Sequence, residues 1–519
     1  MAQGGSAVGG YLENALILTA SGLALRAAGM GLRVYMAGQL GSEGMGLYQL
    51  LFTVYSLSVA LATSGVSVAA ARMTAEQLGQ GRRSAVSPVM RRVLGAAAAL
   101  GGIAGGLQFV LAGPAARWWL GDERAALSLR ILAFSLPFMA LGAALRGYFL
   151  ARRQVKANAG SQMLEQLVRI LLVFCLLPRA AQQGLGAGCA AVVTANLVSE
   201  GVSCLCMVWA YHRDIRRQEN GVPRTPAPRE TLRKLWHILA PLEASRSVSS
   251  ALTAAENALV PACIALAVGD RTQALSAYGA LKGMALPVMF FPFSFLGTLA
   301  TLLMPEVTEA HIRRDRPVLE RLLDKMMLLT GTVAVLAGGL FTMYAQPLAQ
   351  LLYRDAEVGF YIRVLGPVMP FMYLESMVDG VLKGMDEQLA TFKYGLWNSM
   401  LRIGSILLLL PRFGMKGFLL VMICSNLLTC VLNCRCMVQT AQMKQHWGRW
   451  LLGPAAALML AALLTAPLKN ALAPWPLMQL LCGGGVAALI YVAVLWPFGL
   501  GKIVLELMRA RNRKAAQMT

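Results

Sequence analysis

The stretch Arg169-Ile-Leu-Leu-Val-Phe-Cys-Leu-Leu-Pro-Arg179 returns 233 positions later as Arg402-Ile-Gly-Ser-Ile-Leu-Leu-Leu-Leu-Pro-Arg412. The same offset sets Asp122, Arg130, Leu132 and Pro137-Phe-Met139 on Asp355, Arg363, Leu365 and Pro370-Phe-Met372. After a slip of three residues, Gly184, Asn196-Leu197, Cys204 and Cys206-Met-Val208 meet Gly414, Asn426-Leu427, Cys434 and Cys436-Met-Val438. Chance does not explain so many agreements in one register, so the chain is read as two related halves.

The repeated units are apolar. Of 519 residues, 57% are hydrophobic and 14% charged, too little charge to cover a soluble protein of this size. Runs such as 92–113 and 395–410 approach the ~20 residues that cross a ~30 Å hydrocarbon core. They lack the strict alternation of lipid-facing strands. An all-α polytopic membrane protein is expected, with about fourteen spans at 13–37, 46–71, 91–113, 126–149, 158–178, 185–211, 236–267, 273–303, 326–346, 359–382, 393–411, 417–438, 450–468 and 477–499. The repeat places spans four to six on spans ten to twelve. This predicts a six-helix N-terminal lobe (1–211), a linker (212–235), a pseudo-symmetric six-helix lobe (236–438), an extra helix pair (439–499) and a basic tail (500–519). An even number of spans per half makes the repeat parallel, the architecture of a transporter that rocks one bundle against the other.

The formal charge of +22 suggests nucleic acid only until the basic residues are placed. Thirty of the 47 Lys and Arg fall in loops on one side of the expected spans and eight on the other. That bias predicts cytoplasmic termini, with the tail 509–514 against anionic lipid and no nucleic-acid partner. The ten cysteines sit mostly in apolar runs and read as reduced. The four histidines have no Cys or carboxylate cluster at ligand spacing, and no Walker lysine follows the Gly-rich runs. No enzyme, metal site or cofactor is expected.

Nine basic residues fall within the expected spans: Arg26, Arg33, Arg130, Arg146, Arg169, Arg246, Lys282, Arg363 and Arg402. Near a helix centre each costs about 2.5–3.5 kcal/mol on insertion scales, so each needs protein, water or substrate, or must snorkel. Arg130/Arg363 and Arg169/Arg402 occur in both halves, which favours a scaffold role. Glu165 stands one turn before Arg169 and predicts an intrahelical pair. Arg26, Arg33, Arg246 and Lys282 have no basic counterpart and are the candidates for substrate. Arg26 and Arg33 share a helix face about 10 Å apart along the axis, a spacing that suits two contacts on a phosphorylated headgroup. Snorkelling and pairing with a carboxylate are the alternatives, and Arg246 has Glu243 beside it. Candidates for coupling to H+ or Na+ are Glu256, Glu375, Asp379 and Asn398, with pairing of Glu375 or Asp379 to Arg402 the competing reading.

Arg26-Ala-Ala-Gly-Met-Gly-Leu-Arg33, followed by Gly41-Ser-Glu-Gly-Met-Gly-Leu-Tyr-Gln49, resembles the opening of the stage V sporulation protein B group. That group belongs to the multidrug/oligosaccharidyl-lipid/polysaccharide exporter superfamily and is related to bacterial lipid II flippases. Leu145-Arg-Gly-Tyr-Phe149 and Glu165-Gln-Leu-Val-Arg169 form a second matching block. The resemblance implies export of an undecaprenyl-diphosphate-linked sugar to the outer leaflet, for wall growth or sporulation, with Arg26, Arg33 and Lys282 lining the cavity. It also implies a groove for the lipid tail on the last two spans. The sequence departs where a further cavity arginine is expected, since 53–71 has no basic residue, and where Asn398 precedes Arg402 in place of a sodium-site carboxylate on span eleven. The expected partners are the lipid-linked oligosaccharide and anionic membrane lipid, with wall-synthesis enzymes a further candidate. A drug or cation exporter of the same superfamily is one alternative and a non-transporting membrane scaffold the other.

Overall fold

Three aspartates start helices by accepting hydrogen bonds from backbone N–H groups that would otherwise lack partners: Asp270 from Thr272 at 2.8 Å, Asp315 from Val318 at 3.3 Å and Asp355 from Glu357 at 2.9 Å. Prolines open others, where their missing N–H costs nothing. The computed structural model describes residues 4–219 and 231–497. Among these residues there is no strand. Much of the expected linker and the whole basic tail lie outside the described residues.

Contacts divide the chain into two units, Met1–Gly279 and Ala280–Thr519. The first holds α1 (Gly4–Thr63), α2 (Val66–Gly79), α3 (Val86–Pro114), α4 (Ala125–Ala133), α5 (Leu136–Ala151), α6 (Val155–Gln182), α7 (Leu185–Glu219), α8 (Thr231–Val268) and α9 (Arg271–Tyr278). Its core packs α2, α3 and α5 around Val66, Val93, Leu136, Leu145 and Tyr148, all buried. Close approach is what the glycines of α3 permit: a Cβ on Gly105 would stand 2.7 Å from the Ala133 carbonyl oxygen, and one on Gly101 2.8 Å from Pro137 Cα.

The second unit holds α10 (Leu286–Phe290), α11 (Phe293–Ile312), α12 (Arg316–Met343), α13 (Ala345–Leu352), α14 (Ala356–Leu365), α15 (Met369–Gly384), α16 (Gln388–Ala441), α17 (Gly453–Ala471), α18 (Pro476–Met478) and α19 (Gly485–Leu495). One core joins α11, α12, α15 and α16 through Leu323, Met326, Leu374, Val378 and Cys434. A smaller one joins α12, α17 and α19 through Val335, Ala461 and Tyr491.

Eight helices among the described residues are long and apolar enough to cross a membrane, nine when the pair α4 and α5, bent by 41°, counts as one. The difference from fourteen has a physical basis. With 60 residues, α1 would run about 90 Å, three times a bilayer core, but it breaks at Gly41, where φ is 67°. The 54 residues of α16 break likewise at Gly414, where φ is 55°. Each long element thus covers two expected spans. The segments expected at 158–178, 273–303 and 359–382 fall in helices outside that set of nine. The second is interrupted by the π-helical turn Gly279–Ala285 and a break before Phe293, and the third by the 3-10 turn Gly366–Val368.

The repeat is visible in local geometry. Pro137 and Pro370 both occupy the opening turn of a helix, α5 and α15. Gly184 and Gly414 both adopt positive φ, 116° and 55°. The ten cysteines form no disulfide.

Candidate functional site

On the N-terminal unit, α1 carries both candidate arginines after an apolar start. Arg26 is exposed; Arg33 is half-buried although its neighbours Leu32, Met36 and Ala37 are buried. The charges of Arg33 and of Arg169 on α6 both reach the Tyr48 hydroxyl, so these two cations and the tyrosine share one region. Tyr35 stacks on Phe174 of α6 with ring centroids 4.0 Å apart, fixing the face that α1 turns to α6. The expected pair forms: Arg169 Nη2 donates to Glu165 Oε1 at 2.6 Å, and Arg169 Nε to Ser199 Oγ of α7 at 3.4 Å.

The break at Gly41 is clamped by the motif that follows it. Arg124 donates through Nη2 to Glu43 at 2.8 Å and to Asp122 at 2.7 Å, and the Ser42 and Ser276 hydroxyls share a hydrogen bond. Burial raises the affinity of Asp122 for a proton, but the hydrogen bonds and charge of Arg124 outweigh it and hold the carboxyl below the usual aspartate range.

Two further features emerge only in the folded chain. A cavity of about 690 Å³ at one end of α2 and α8 is lined by Arg72, Glu76, Arg233, Lys234 and His237, with Lys234 Nζ donating to Glu76 at 2.9 Å. Inside the bundle, Glu200 of α7 is buried, with Oε1 2.7 Å from Asn196 Nδ2 and its two oxygens 3.1 and 3.0 Å from the Tyr55 hydroxyl. The Tyr55 hydroxyl in turn lies 2.6 Å from Ser135 Oγ, which donates to the Leu132 carbonyl at 2.8 Å. These residues are up to 145 positions apart, so no local spacing announces them.

Of the other candidates on this unit, Arg246 is exposed on α8, and Glu243 Oε1 is buried without a hydrogen-bond partner. Glu256 is buried near Tyr278. On the C-terminal unit, Lys282 sits half-buried in the π-helical turn with Nζ 5.9 Å from the centre of the Phe418 ring, a cation–π distance. Asp379 accepts from Lys383 at 2.6 Å, one turn away on its own helix, while Glu375 is half-buried between them and Arg402 in charge terms. Asn398 Oδ1 is buried with no hydrogen-bond partner. The candidates thus fall into two sets, Arg26, Arg33, Arg246 and Glu256 in one unit and Lys282, Glu375, Asp379 and Asn398 in the other.

Eight or nine helices long and apolar enough to cross a membrane, among the described residues, define a multi-pass all-α membrane protein. Residues 11–305 match the family described as "Polysaccharide biosynthesis protein", and the chain belongs to that family. Among curated relatives it is similar to stage V sporulation protein B of Bacillus subtilis (strain 168), 25% identical over 430 residues and 82% of each chain. It is also similar to sporulation protein YkvU of the same organism, 21% identical over 391 residues, 74% of this chain and 85% of the relative. Its fold is that of the lipid II flippase MurJ in an inward closed conformation, with TM-score 0.68 and 13% identity over 94% of this chain and all of that one. An inward-facing MATE family multidrug transporter of the MOP superfamily matches with TM-score 0.62 and 15% identity, covering 82% and 98%.

Proposed function

We propose that this protein is an alternating-access flippase that moves a polyprenyl-diphosphate-linked sugar precursor from the inner to the outer leaflet of the bacterial cytoplasmic membrane. The observation that carries the reading is the arginine pair of α1: two guanidinium groups on one helix face, one exposed and one half-buried, within an otherwise apolar span. A diphosphate does not cross hydrocarbon unaided, because an unpaired charge there costs many kcal/mol. Arginine offers phosphate two parallel donors at once, and two arginines about 10 Å apart span a diphosphate and its first sugar. Lys282 and Arg246 add positive charge to the headgroup path, and the tail rides in lipid along α17 to α19.

The family and the sporulation relatives support a cell-envelope saccharide as cargo, and the internal repeat of the sequence supports the alternating-access reading, with 1–211 and 236–438 as the two halves. Both termini and the basic loops are assigned to the cytoplasm. The membrane potential would act on the loaded cavity at about 2.3 kcal/mol per charge per 100 mV. A drug exporter needs an acidic or aromatic cavity, and the cationic side chains named here argue against one. In proteoliposomes carrying a fluorescent polyprenyl-diphosphate sugar, Arg26→Ala or Arg33→Ala is expected to abolish headgroup translocation while the protein still inserts. Wild-type translocation by both variants refutes the assignment.

A further inference from the structure

The chain Glu200, Tyr55, Ser135, Leu132 carbonyl is joined at three links: the Tyr55 hydroxyl to the Glu200 carboxyl, 3.0 Å from Oε2 and 3.1 Å from Oε1, then to Ser135 at 2.6 Å, and Ser135 to the carbonyl at 2.8 Å. Each link needs one hydrogen. If Glu200 is ionised, only the two hydroxyls supply them, and one pair of oxygen lone pairs is left facing at hydrogen-bond distance. If Glu200 carries a proton, the count closes. Oε2–H donates to Tyr55, Tyr55 donates to Ser135, and Ser135 donates to the carbonyl. Oε1 meanwhile accepts from Asn196 at 2.7 Å.

The charges around it agree. Glu200, Tyr55, Asn196 and Ser135 are exposed by 6%, 4%, 5% and 0%, so water does not supply the missing hydrogen or solvate a carboxylate. The groups that face Glu200 are Arg169 and Glu165 of α6 and Tyr55 of α1. Arg169 is engaged at 2.6 Å by Glu165, whose negative charge offsets it. The repeat supplies a control. In the register that sets Asn196 on Asn426, Glu200 falls on Cys430, and there Asn426 donates to its own helix at the Met422 carbonyl, 2.7 Å away. Cys430 is buried and packs in the core of its unit. The same helix position therefore packs without a carboxylate, so the fold does not require one.

We infer that Glu200 is a proton-binding site of the N-terminal unit, occupied in this conformation, with Tyr55 and Ser135 as a hydrogen-bonded relay that registers whether the proton is present. Loss of the proton turns Tyr55 into a donor to Glu200 and forces Ser135 to leave either Tyr55 or the Leu132 carbonyl. Deprotonation thereby changes how α1, α7 and the α4–α5 junction are tied. On the flippase reading, which this extension rests on, that proton is the coupling ion.

Infrared difference spectra of the full-length protein in lipid nanodiscs, wild type against Glu200→Gln, test the site without any cargo. The glutamine amide donates and accepts in the same directions as the acid, so the variant is expected to fold. The expected result is a protonated-carboxyl carbonyl band at neutral pH, absent from the variant and shifted in Tyr55→Phe. Carboxylate bands alone, or a carboxyl band indifferent to Tyr55→Phe, overturn the inference. Should Glu200→Gln fail to fold, the Tyr55→Phe arm decides on its own. In proteoliposomes, one proton per cycle ties cargo accumulation to the pH gradient by about ten-fold per pH unit. Glu200→Gln is expected to lose that dependence, and a wild type indifferent to the gradient overturns the coupling role while leaving the site. Absence of any translocation counts against the flippase reading, and the infrared band still decides the proton.

Discussion

The two units use related helices and neutralise their polar groups differently. Within each, a carboxylate one turn from a basic residue is answered on its own helix: Glu165 by Arg169 on α6, Asp379 by Lys383 on α15, both at 2.6 Å. The contrast lies at the helix that ends each repeat. In α7, Asn196 turns to a buried glutamate that meets Tyr55 of α1; in α16, Asn426 turns back to its own backbone beside a thiol. The repeat keeps the helix-opening prolines and the positive-φ glycines, while the polar chemistry differs in the half that also carries the unmatched arginines of α1. Shared features of a repeat are thus evidence of scaffold, and the unshared polar ones are where function is sought.

That contrast can be broken directly. Placing the carboxylate in the other half, Cys430→Glu, buries an acid with no relay to receive it, at a cost of several kcal/mol. The expected outcome is a large fall in thermal stability in detergent, whereas wild-type stability would mean that both halves accept the acid equally. A smaller loss, about 1–3 kcal/mol, is expected from Tyr55→Phe, which strands Ser135 and Glu200, and calorimetry or a thiol-reactive unfolding assay reads it. Gly105→Val crowds the Ala133 carbonyl and is expected to cost a comparable about 1–3 kcal/mol by strain, while the same change at Gly106, which has no neighbour within 4 Å, is tolerated. The smallest effect is expected of Lys383→Met. Its pair with Asp379 is more than half exposed at the lysine, and such pairs contribute at most about 1 kcal/mol.

The clamp at the helix break of α1 adds a pH test. The carboxyl of Asp122 is held below its ordinary range, so its contribution is complete above the unfolded value of about 3.9 and is lost as pH falls through the folded one. Hydrogen exchange of the 120–126 backbone is expected to accelerate only under acid, and Asp122→Asn to be fast at every pH.

The sequence carried the fold to the extent that its signals were local or periodic. Pro-Phe-Met at 137–139 and 370–372, the aligned glycines and the Glu165–Arg169 spacing each predict something that stands in the structure. The breaks inside the two long helices are legible as well, since the expected spans 13–37 and 46–71, and 393–411 and 417–438, part around Gly41 and Gly414. Asp379 pairs with Lys383, which one turn of the same helix brings within reach, a partner the repeat does not point to. No spacing in the sequence singles out Glu200. Its cross-helix partner comes from α1, with Ser135 of the α4–α5 junction joined through that tyrosine, and only the folded chain sets Tyr55, 145 residues away, against it.

The account stands or falls on whether the arginines of α1 hold an anionic, lipid-linked cargo, and native mass spectrometry of gently purified protein measures that most directly. It is expected to show a bound polyprenyl-diphosphate saccharide in the wild type, lost when Arg26 and Arg33 are both replaced by alanine. A wild-type protein that carries no such lipid, or a double variant that retains it undiminished, contradicts the proposed cargo and its binding place.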